Sequence, residues 1–352
     1  MLTLIYFILM LGTIVFIHEL GHFFWAKKSG VYCYEFSLGF GPKLLSFKRK
    51  KAKKKDETLY CLRLIPVGGF VAMAGEEVDD DKKVPKSKKL YNKKWYQKLI
   101  IVLAGVINNF ILAYVILFLM ALISGSYTTK PIIGIVAKDS SCEKAGILVG
   151  DKVLEINGEK ISNWDDLTLT LALSDNTKSQ KFLIETKKGN IKIVNVKPQE
   201  IKDKKGNVSY SYGIGMDDTK YYGLKNAFSY ATSKFGSILN SMFVTIKSLF
   251  TGKIGLGSLS GPVGIYSIVG EQSKLGLSGL LYLLAYLSIN VGFINLLPFP
   301  AFDGYRAVII IIEKITGKKV NPKIDAIVNN IGLFLIFGLM IFITIKDVLR
   351  LF

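Results

Sequence analysis

The sequence has 352 residues, half of them hydrophobic, with a formal net charge of +19 and a mean hydropathy of +0.35. This hydropathy is high for a soluble protein and modest for a protein made only of membrane helices, so it predicts a few spans and a sizeable polar domain. The charge favours a membrane surface over nucleic acid, because basic residues flank the hydrophobic stretches and no nucleic-acid recognition motif accompanies them. Cys33, Cys61 and Cys142 have no C-x-x-C spacing, which excludes a zinc ribbon and a disulfide framework and predicts small buried residues.

Four stretches are long and apolar enough to cross a membrane as helices. They cover residues 2–25, 99–123, 275–297 and 327–345. The first has no basic segment before it and no small-residue cleavage site, so we expect a retained span rather than a signal peptide. Short basic segments follow the first span and separate the last two. This predicts that both face the cytoplasm, with the long segment between the second and third spans outside.

These features predict a polytopic α-helical membrane protein with about four transmembrane helices, a membrane-associated β-hairpin region and one extracytoplasmic α/β domain. The expected parts are a first transmembrane helix (1–30), a cytoplasmic β-rich membrane-associated loop (31–97), a second transmembrane helix (98–124), the α/β domain (125–200), an outer linker with an amphipathic helix (201–274), a third transmembrane helix (275–304), a cytoplasmic loop (305–325) and a fourth transmembrane helix (326–352). The densest basic run, residues 48–55, lies in the first cytoplasmic loop.

The first span contains the only two histidines of the chain, His18 and His22, in the run HELGH. On a helix this spacing places both imidazoles on one face, where they can share one metal ion. Such a pair, with Glu19 as general base on the attacking water, is typical of zinc hydrolases. A surface pair without metal is the alternative, but ionisable residues in an apolar span are costly and need a partner.

Residues 31–75 are predicted to be rich in β-structure, because short alternating or apolar runs are interrupted by glycine and proline. Beside a membrane site, such strands could offer an edge to an extended peptide. Gly68, Gly69, Phe70 and Val71 would then bind substrate. A surface hairpin with no such role is the alternative. The charged residues 76–94 are predicted to form a mobile loop.

The second span carries a stripe of small and polar residues, Gly105, Asn109 and Ala113, which predicts helix packing close to the site. Beyond it, residues 132–196 are predicted to form the α/β domain, with an Asn-Gly turn at residues 157–158. Residues 221–250 have apolar side chains at helical spacing. They are predicted to form an amphipathic helix on the outer membrane surface, with a buried helix of a soluble domain as the alternative.

A zinc ion held by two histidines needs at least one further protein ligand and an open position for water. With no third histidine in the chain, a carboxylate is expected or, less readily, a cysteine such as Cys33 or Cys61. The best candidate is Asp303, which follows the third span on the predicted side of the histidine pair. Two prolines just before it would interrupt the helix and free backbone groups to line a cavity. An aspartate that caps a helix outside the membrane is the alternative.

Two asparagines, Asn290 and Asn295, lie on the third span, and a side-chain amide in a membrane helix needs a partner. They could bind the substrate backbone or the oxyanion. They could equally join neighbouring helices, and the sequence leaves these roles open.

Together these motifs resemble those of the site-2 protease family of intramembrane zinc metalloproteases, in particular its bacterial branch with PDZ domains that acts in regulated intramembrane proteolysis. The resemblance extends over nearly the whole chain. It rests on HELGH at 18–22, SLGFGP at 37–42, PVGGFV at 66–71, residues 105–109, one PDZ-like unit, SGPVG at 260–264 and NLLPFPAFDG at 295–304. The coincidence of the first and last motifs is specific, whereas the others are individually weak.

The resemblance implies that His18, His22 and Asp303 bind Zn²⁺ and that Glu19 is the catalytic base of a zinc metalloendopeptidase (EC 3.4.24). It implies a multi-pass protein of the bacterial inner (cytoplasmic) membrane, with the active site toward the cytoplasm. The α/β domain would be a PDZ-like domain outside, able to bind peptide termini. Expected partners are the lipid bilayer and single-span membrane proteins, such as anti-sigma factors already trimmed outside or signal-peptide remnants, and not nucleic acid.

The chain departs from the family pattern in two places. The usual Leu-Asp-Gly-Gly reads FDGY at residues 302–305, and there is one PDZ-like unit where some relatives have two. A non-catalytic membrane scaffold with a structural metal site is the alternative function. The open fourth position favours catalysis, because structural zinc sites are normally closed. A transporter is a third reading that the lack of inverted repeats disfavours.

Overall fold

The computed structural model of the protein describes residues 2–48, 58–76, 83–202 and 208–349. The chain divides into two compact units, one formed by Met1–Ile116 with Leu256–Phe352 and the other by Leu117–Gly255. Most of the basic run, residues 49–55, lies outside the described residues, as do residues 77–82 of the predicted mobile loop.

The secondary structure of the described residues follows a simple order along the chain. The helices are α1 (Leu2–Lys28), α2 (Trp95–Ser124), α3 (Ser141–Lys144), α4 (Trp164–Leu173), α5 (Leu224–Phe250), α6 (Pro262–Lys274), α7 (Gly276–Leu296), α8 (Asp303–Thr316) and α9 (Pro322–Leu349). The strands are β1 (Cys33–Lys48), β2 (Leu59–Met73), β3 (Ile133–Val136), β4 (Lys152–Ile156), β5 (Glu159–Lys160), β6 (Gln180–Glu185), β7 (Ile191–Val196), β8 (Gln199–Lys202), β9 (Val208–Ser211) and β10 (Ile214–Met216).

Among the described residues, α1, α2, α7 and α9 are long and apolar enough to cross a membrane. This confirms the four candidate spans expected from the sequence. The segment predicted as a cytoplasmic loop, residues 305–325, is instead largely helical, because it contains most of α8. Ala307 and Ile310, one turn apart, are buried in a cluster with Val102 of α2, so one face of α8 packs on the spans. Gly317, in the left-handed conformation, ends this helix.

The strands β1 and β2 form one sheet beside α1, in which each long strand pairs along more than one segment. Residues 33–38 pair with residues 69–73 on one side, and residues 35–38 pair with residues 59–62 on the other. Residues 69–73 therefore form an edge of the sheet. In the described part of the chain, no further strand pairs with the outer side of this edge. The sheet packs on α1 and α2 through a buried cluster of Ala26, Val31, Cys33, Phe36, Val71, Leu90 and Ile101.

The described part of the predicted mobile loop is fixed against this sheet. The Tyr32 N–H donates to the Lys88 carbonyl over 2.9 Å, and the Leu90 N–H donates to the Ala74 carbonyl over 2.7 Å. The Leu90 side chain is buried. Charge alone was a poor guide here, because the buried side chains of Val84 and Leu90 and the two backbone hydrogen bonds anchor the segment. The three cysteines are buried and form no disulfide bond, as predicted.

The second unit contains the predicted α/β domain. A four-stranded sheet has the order β5-β4-β6-β7, and β3 with β10 and β8 with β9 form two smaller sheets. The predicted Asn-Gly turn joins β4 to β5, with positive φ angles of 53° at Asn157 and 83° at Gly158. Phe182 and Ile184 are fully buried in the core of the α/β domain. The sequence did not predict β8, β9 and β10, which extend the domain beyond residue 196.

Helix α5 packs on α4 of the same unit through polar contacts. Lys234 Nζ lies 2.7 Å from Asp165 Oδ1, and Asn240 Nδ2 donates to Asp166 Oδ1 over 2.9 Å. Its apolar side chain Phe243 is 61% exposed. The helix is thus amphipathic, as predicted, with one face on the α/β domain and aromatic side chains exposed. Its contact with a membrane surface stays a prediction.

Candidate metal centre and its cavity

The two histidines of α1 form one half of the candidate metal centre. Their positions one helical turn apart place both imidazoles on the same face of the helix. His18 and His22 are buried, and their Nε2 atoms lie 3.1 Å apart. The i,i+4 spacing therefore produces a pair of nitrogen atoms that point at a common position.

Asp303, in the C-terminal part of the chain, reaches the same position. Helix α7 ends at Leu296, and Pro298 and Pro300 cannot continue it because they lack an N–H group. The chain turns at Ala301, with a positive φ of 78°, and Asp303 begins α8. Its Oδ2 atom lies 3.2 Å from Nε2 of His18 and 3.3 Å from Nε2 of His22.

These three donor atoms fit a zinc ion. Asp303 Oδ2 is buried and has no hydrogen-bond donor. Ligand atoms about 2.0 Å from a tetrahedral zinc are about 3.3 Å apart, which matches the three observed distances. Three lone pairs at this separation repel one another unless a cation lies between them. Among the described residues, the one cluster of potential metal ligands consists of His18, His22 and Asp303 and contains no cysteine.

The orientation of His22 is set by a hydrogen bond on the far side of its ring. Nδ1 lies 2.8 Å from the carbonyl oxygen of Ile101 on α2 and donates to it. The lone pair of the neutral ring is then on Nε2, the atom that faces His18 and Asp303.

Close packing of α1 on α2 depends on two glycines. A Cβ at Gly21 would lie 2.7 Å from the Ala104 carbonyl carbon. A Cβ at Gly105 would lie 2.7 Å from His18 Cε1 and closer still to His22 Nε2. The stripe that predicted packing near the site therefore leaves room for the imidazoles themselves.

The surroundings of Asp303 favour its ionised carboxylate. Burial disfavours the charged form, but the imidazoles of His22 and His18 outweigh it and hold the pKa of the Asp303 carboxyl below its usual range. A carboxylate must be deprotonated to bind a metal.

Helix α9 holds the loop that carries Asp303. The Ala301 N–H donates to Asn329 Oδ1 over 3.1 Å, and Asn329 Nδ2 donates to the Asp325 carbonyl over 3.0 Å. Tyr305, which stands where the family pattern has its second glycine, donates its hydroxyl to Asp325 Oδ1 over 3.0 Å. The departure in the FDGY motif thus adds a contact to α9.

A cavity of about 470 Å³ opens beside the three donor atoms. It is lined by His18, Glu19, His22, Gly69, Phe70, Val71, Ala72, Met73, Glu76, Leu90, Val102, Asn295, Ala301, Asp303 and Arg306. The edge residues 69–73 thus form one wall. A Cβ at Gly69 would lie 3.1 Å from Glu19 Cγ, so this glycine lets the sheet edge approach Glu19 closely.

Most, but not all, of the residues predicted to bind substrate lie at this cavity. Gly69, Phe70, Val71 and Asn295 line it, whereas Gly68 and Asn290 are not among the lining residues. Asn295 Nδ2 donates to the carbonyl one turn earlier on α7, which leaves its second amide hydrogen available.

Sequence reasoning missed an ion pair in the cavity wall. Arg306 Nη1 lies 2.5 Å from Glu76 Oε1. The sequence had assigned Glu76 to a mobile loop and Arg306 to a cytoplasmic loop. The available signal was spacing, because Arg306 follows Asp303 by three residues and so shares its face once α8 is helical.

The sequence is similar to those of known zinc metalloproteases. The sequence model of peptidase family M50 matches residues 6–339. The chain is 31% identical to the regulator of sigma-W protease RasP of Bacillus subtilis (strain 168) over an alignment of 427 residues that covers 99% of each chain. It is 36% identical to putative zinc metalloproteases of Clostridium perfringens (strain 13 / Type A), over 98% of each chain, and of Fusobacterium nucleatum, over 100% of each chain.

Proposed function

Because the chain belongs to peptidase family M50, a family of zinc metalloproteases, we propose that it cleaves peptide bonds within transmembrane segments of single-span membrane proteins. The observation that carries this proposal is the convergence of three potential zinc ligands beside Glu19 on α1, a helix of membrane-spanning length. A protease with its metal site on such a helix meets its substrates in the bilayer.

His18, His22 and Asp303 are the zinc ligands in this proposal. Zinc bound there would polarise the scissile carbonyl and increase the acidity of a water molecule. Three protein ligands would leave a fourth position for water or substrate from the cavity, as catalytic zinc sites require. This open position disfavours the scaffold alternative, in which a structural zinc would have four protein ligands.

Glu19 is the general base. Its carboxylate accepts a proton from the attacking water and delivers it to the leaving nitrogen of the cleaved bond. The close approach of Gly69 to the stem of Glu19 supports this role, because the base then lies beside a strand that can hold a peptide.

The edge residues 69–73 bind the substrate in an extended form. Peptide bonds in a transmembrane helix are shielded by their own hydrogen bonds, so the substrate must unwind before water can attack. A free strand edge can accept the unwound segment by backbone pairing, and Phe70 and Val71 supply side-chain contacts. Asn295, with one unused amide hydrogen, is placed on the cavity wall to donate to a substrate carbonyl or to the oxyanion.

The substrates we propose are anti-sigma factors already trimmed outside, or signal-peptide remnants. The name of the Bacillus subtilis relative, a regulator of sigma-W protease, supports the first class. The distribution of lysine and arginine in the short loops supports an active site toward the cytoplasm and a PDZ-like domain outside.

Cleavage by the purified protein tests the function. The protein, with and without a zinc chelator, is incubated with a panel of labelled single-span peptides, and Glu19→Gln serves as the control. We expect zinc-dependent cleavage by the natural sequence, and none by Glu19→Gln, which should still bind zinc. Full activity of Glu19→Gln, or its loss of zinc with the fold intact, would contradict the role of Glu19.

A further inference from the structure

A buried asparagine next to His18 has an unsatisfied side-chain oxygen. Asn109 on α2 is fully buried, and its Oδ1 atom has no hydrogen-bond partner. Among the described residues, the other buried side-chain atom in this condition is Oδ2 of Asp303. The Nδ2 atom of Asn109 lies 3.4 Å from Nδ1 of His18. The main-chain carbonyl of Asn109 accepts a hydrogen bond from Ser288 Oγ over 2.9 Å, which fixes the backbone at this point.

The position of the Asn109 amide nitrogen conflicts with a zinc ligand at His18. An N–H group that donates to Nδ1 requires the lone pair there, so the ring proton would be on Nε2. Nε2 of His18 is the atom that faces His22 and Asp303, and a protonated nitrogen cannot bind a metal.

Rotation of the Asn109 amide by 180° removes this conflict. The amide oxygen and nitrogen have nearly the same size and shape, so the exchange moves no other atom. Oδ1 then accepts a hydrogen bond from Nδ1–H of His18, while Nδ2 takes the position that Oδ1 occupied. The lone pair of His18 is then on Nε2, where the zinc site needs it.

We infer that Asn109 is a positioning residue whose side-chain oxygen selects the metal-binding tautomer of His18. This inference rests on the proposed zinc centre. It gives the two imidazoles equivalent supports from α2, a side-chain carbonyl for His18 and the main-chain carbonyl of Ile101 for His22. The polar residue of the small-residue stripe thus has a role beyond helix packing.

The first experiment needs no substitution. The chain has only two histidines, so the protein labelled with ¹⁵N in its histidine rings gives four ring-nitrogen signals. In the zinc-loaded protein we expect both rings to carry their proton on Nδ1. A ring with its proton on Nε2 would overturn the inference, and it would have to be His18 because the Ile101 carbonyl holds the proton of His22 on Nδ1.

Zinc affinity of variants provides an independent test. Asn109→Leu has a similar volume and no acceptor, and we expect it to bind zinc about 10- to 100-fold more weakly, as measured against a chromophoric chelator. Asn109→Asp retains an oxygen at this position and should bind zinc within about threefold of the natural sequence. The control is Asn108→Leu, which removes the neighbouring amide that donates to the Ile17 carbonyl over 3.2 Å and should leave zinc affinity unchanged.

The outcomes separate this inference from the proposed function. Normal zinc affinity in Asn109→Leu, or an equal loss in Asn109→Asp and Asn109→Leu, would refute the role of the oxygen. If His22→Ala and Asp303→Ala also kept their zinc, the ligand set itself would be wrong. If these two lost zinc while Asn109→Leu kept it, only the inference about Asn109 would fail.

Discussion

Replacement of Gly105 by alanine should disrupt the metal centre through a single added methyl group. The new Cβ would lie 2.8 Å from Nε2 of His18, whereas ordinary contacts begin near 3.4 Å. The imidazole would have to retreat by about 0.6 Å (3.4 − 2.8). Zinc–ligand distances tolerate changes of only about 0.2 Å. Separation of the helices cannot relieve the clash cheaply, because Gly21 packs directly on the backbone of α2.

We expect Gly105→Ala to weaken zinc binding at least about 100-fold, which corresponds to about 2.7 kcal/mol, and to abolish cleavage. Zinc content after competition with a chelator measures the first effect, and a fluorogenic single-span peptide measures the second. The matched control is Gly12→Ala on α1, where a Cβ would meet no atom within 4 Å. That variant should fold and bind zinc normally. Normal zinc affinity and activity in Gly105→Ala would refute the reasoning from close packing.

Three further predictions follow from the site and the topology. Asp303→Ala should lower zinc content well below one ion per chain, because the histidine pair alone is an incomplete site; one retained zinc would move the third ligand to Cys33 or Cys61. A cysteine at Lys53 should resist a membrane-impermeant reagent in intact cells while a cysteine at Asn157 reacts, and labelling at position 53 would reverse the orientation. Replacement of residues 127–220 by a short linker should preserve cleavage of short substrates. It should also allow cleavage of substrates whose outer domain has not been trimmed, if the α/β domain normally excludes them. The flanking residues 126 and 221 already exchange backbone hydrogen bonds of 2.9 and 2.8 Å, so the cut ends lie close together. Complete loss of cleavage in a folded, zinc-loaded deletion would show that the α/β domain takes part in catalysis.

The metal centre was the part of the structure most open to prediction from sequence. The spacing of His18 and His22 on an apolar helix determines their common face, and that face requires a carboxylate partner. Asp303 could be chosen because prolines interrupt the span just before it. These signals are local, since each depends on helix geometry or on the chemistry of one residue type.

The supports of the centre could not be predicted, because they depend on how helices cross. Nothing in the local sequence shows that the Ile101 carbonyl meets His22, or that the space above Gly105 holds two imidazoles. The pairing of β1 with two segments of β2 could not be predicted either. An alternating pattern shows which side chains share a face of a strand but not which strand lies beside it. Helix α8 was missed because its charged residues suggested a loop. Its buried face becomes apparent only when the helix is seen packed on α2.

The order of the site residues along the chain means that the candidate zinc site is completed late in synthesis. The histidine pair and the sheet edge that receives a peptide are made early, whereas Asp303 and the α9 residues that hold its loop are made late. A nascent chain can therefore present a strand edge but has no complete zinc site until α8 and α9 have formed. We therefore expect hydrolytic activity only after α8 and α9 have formed.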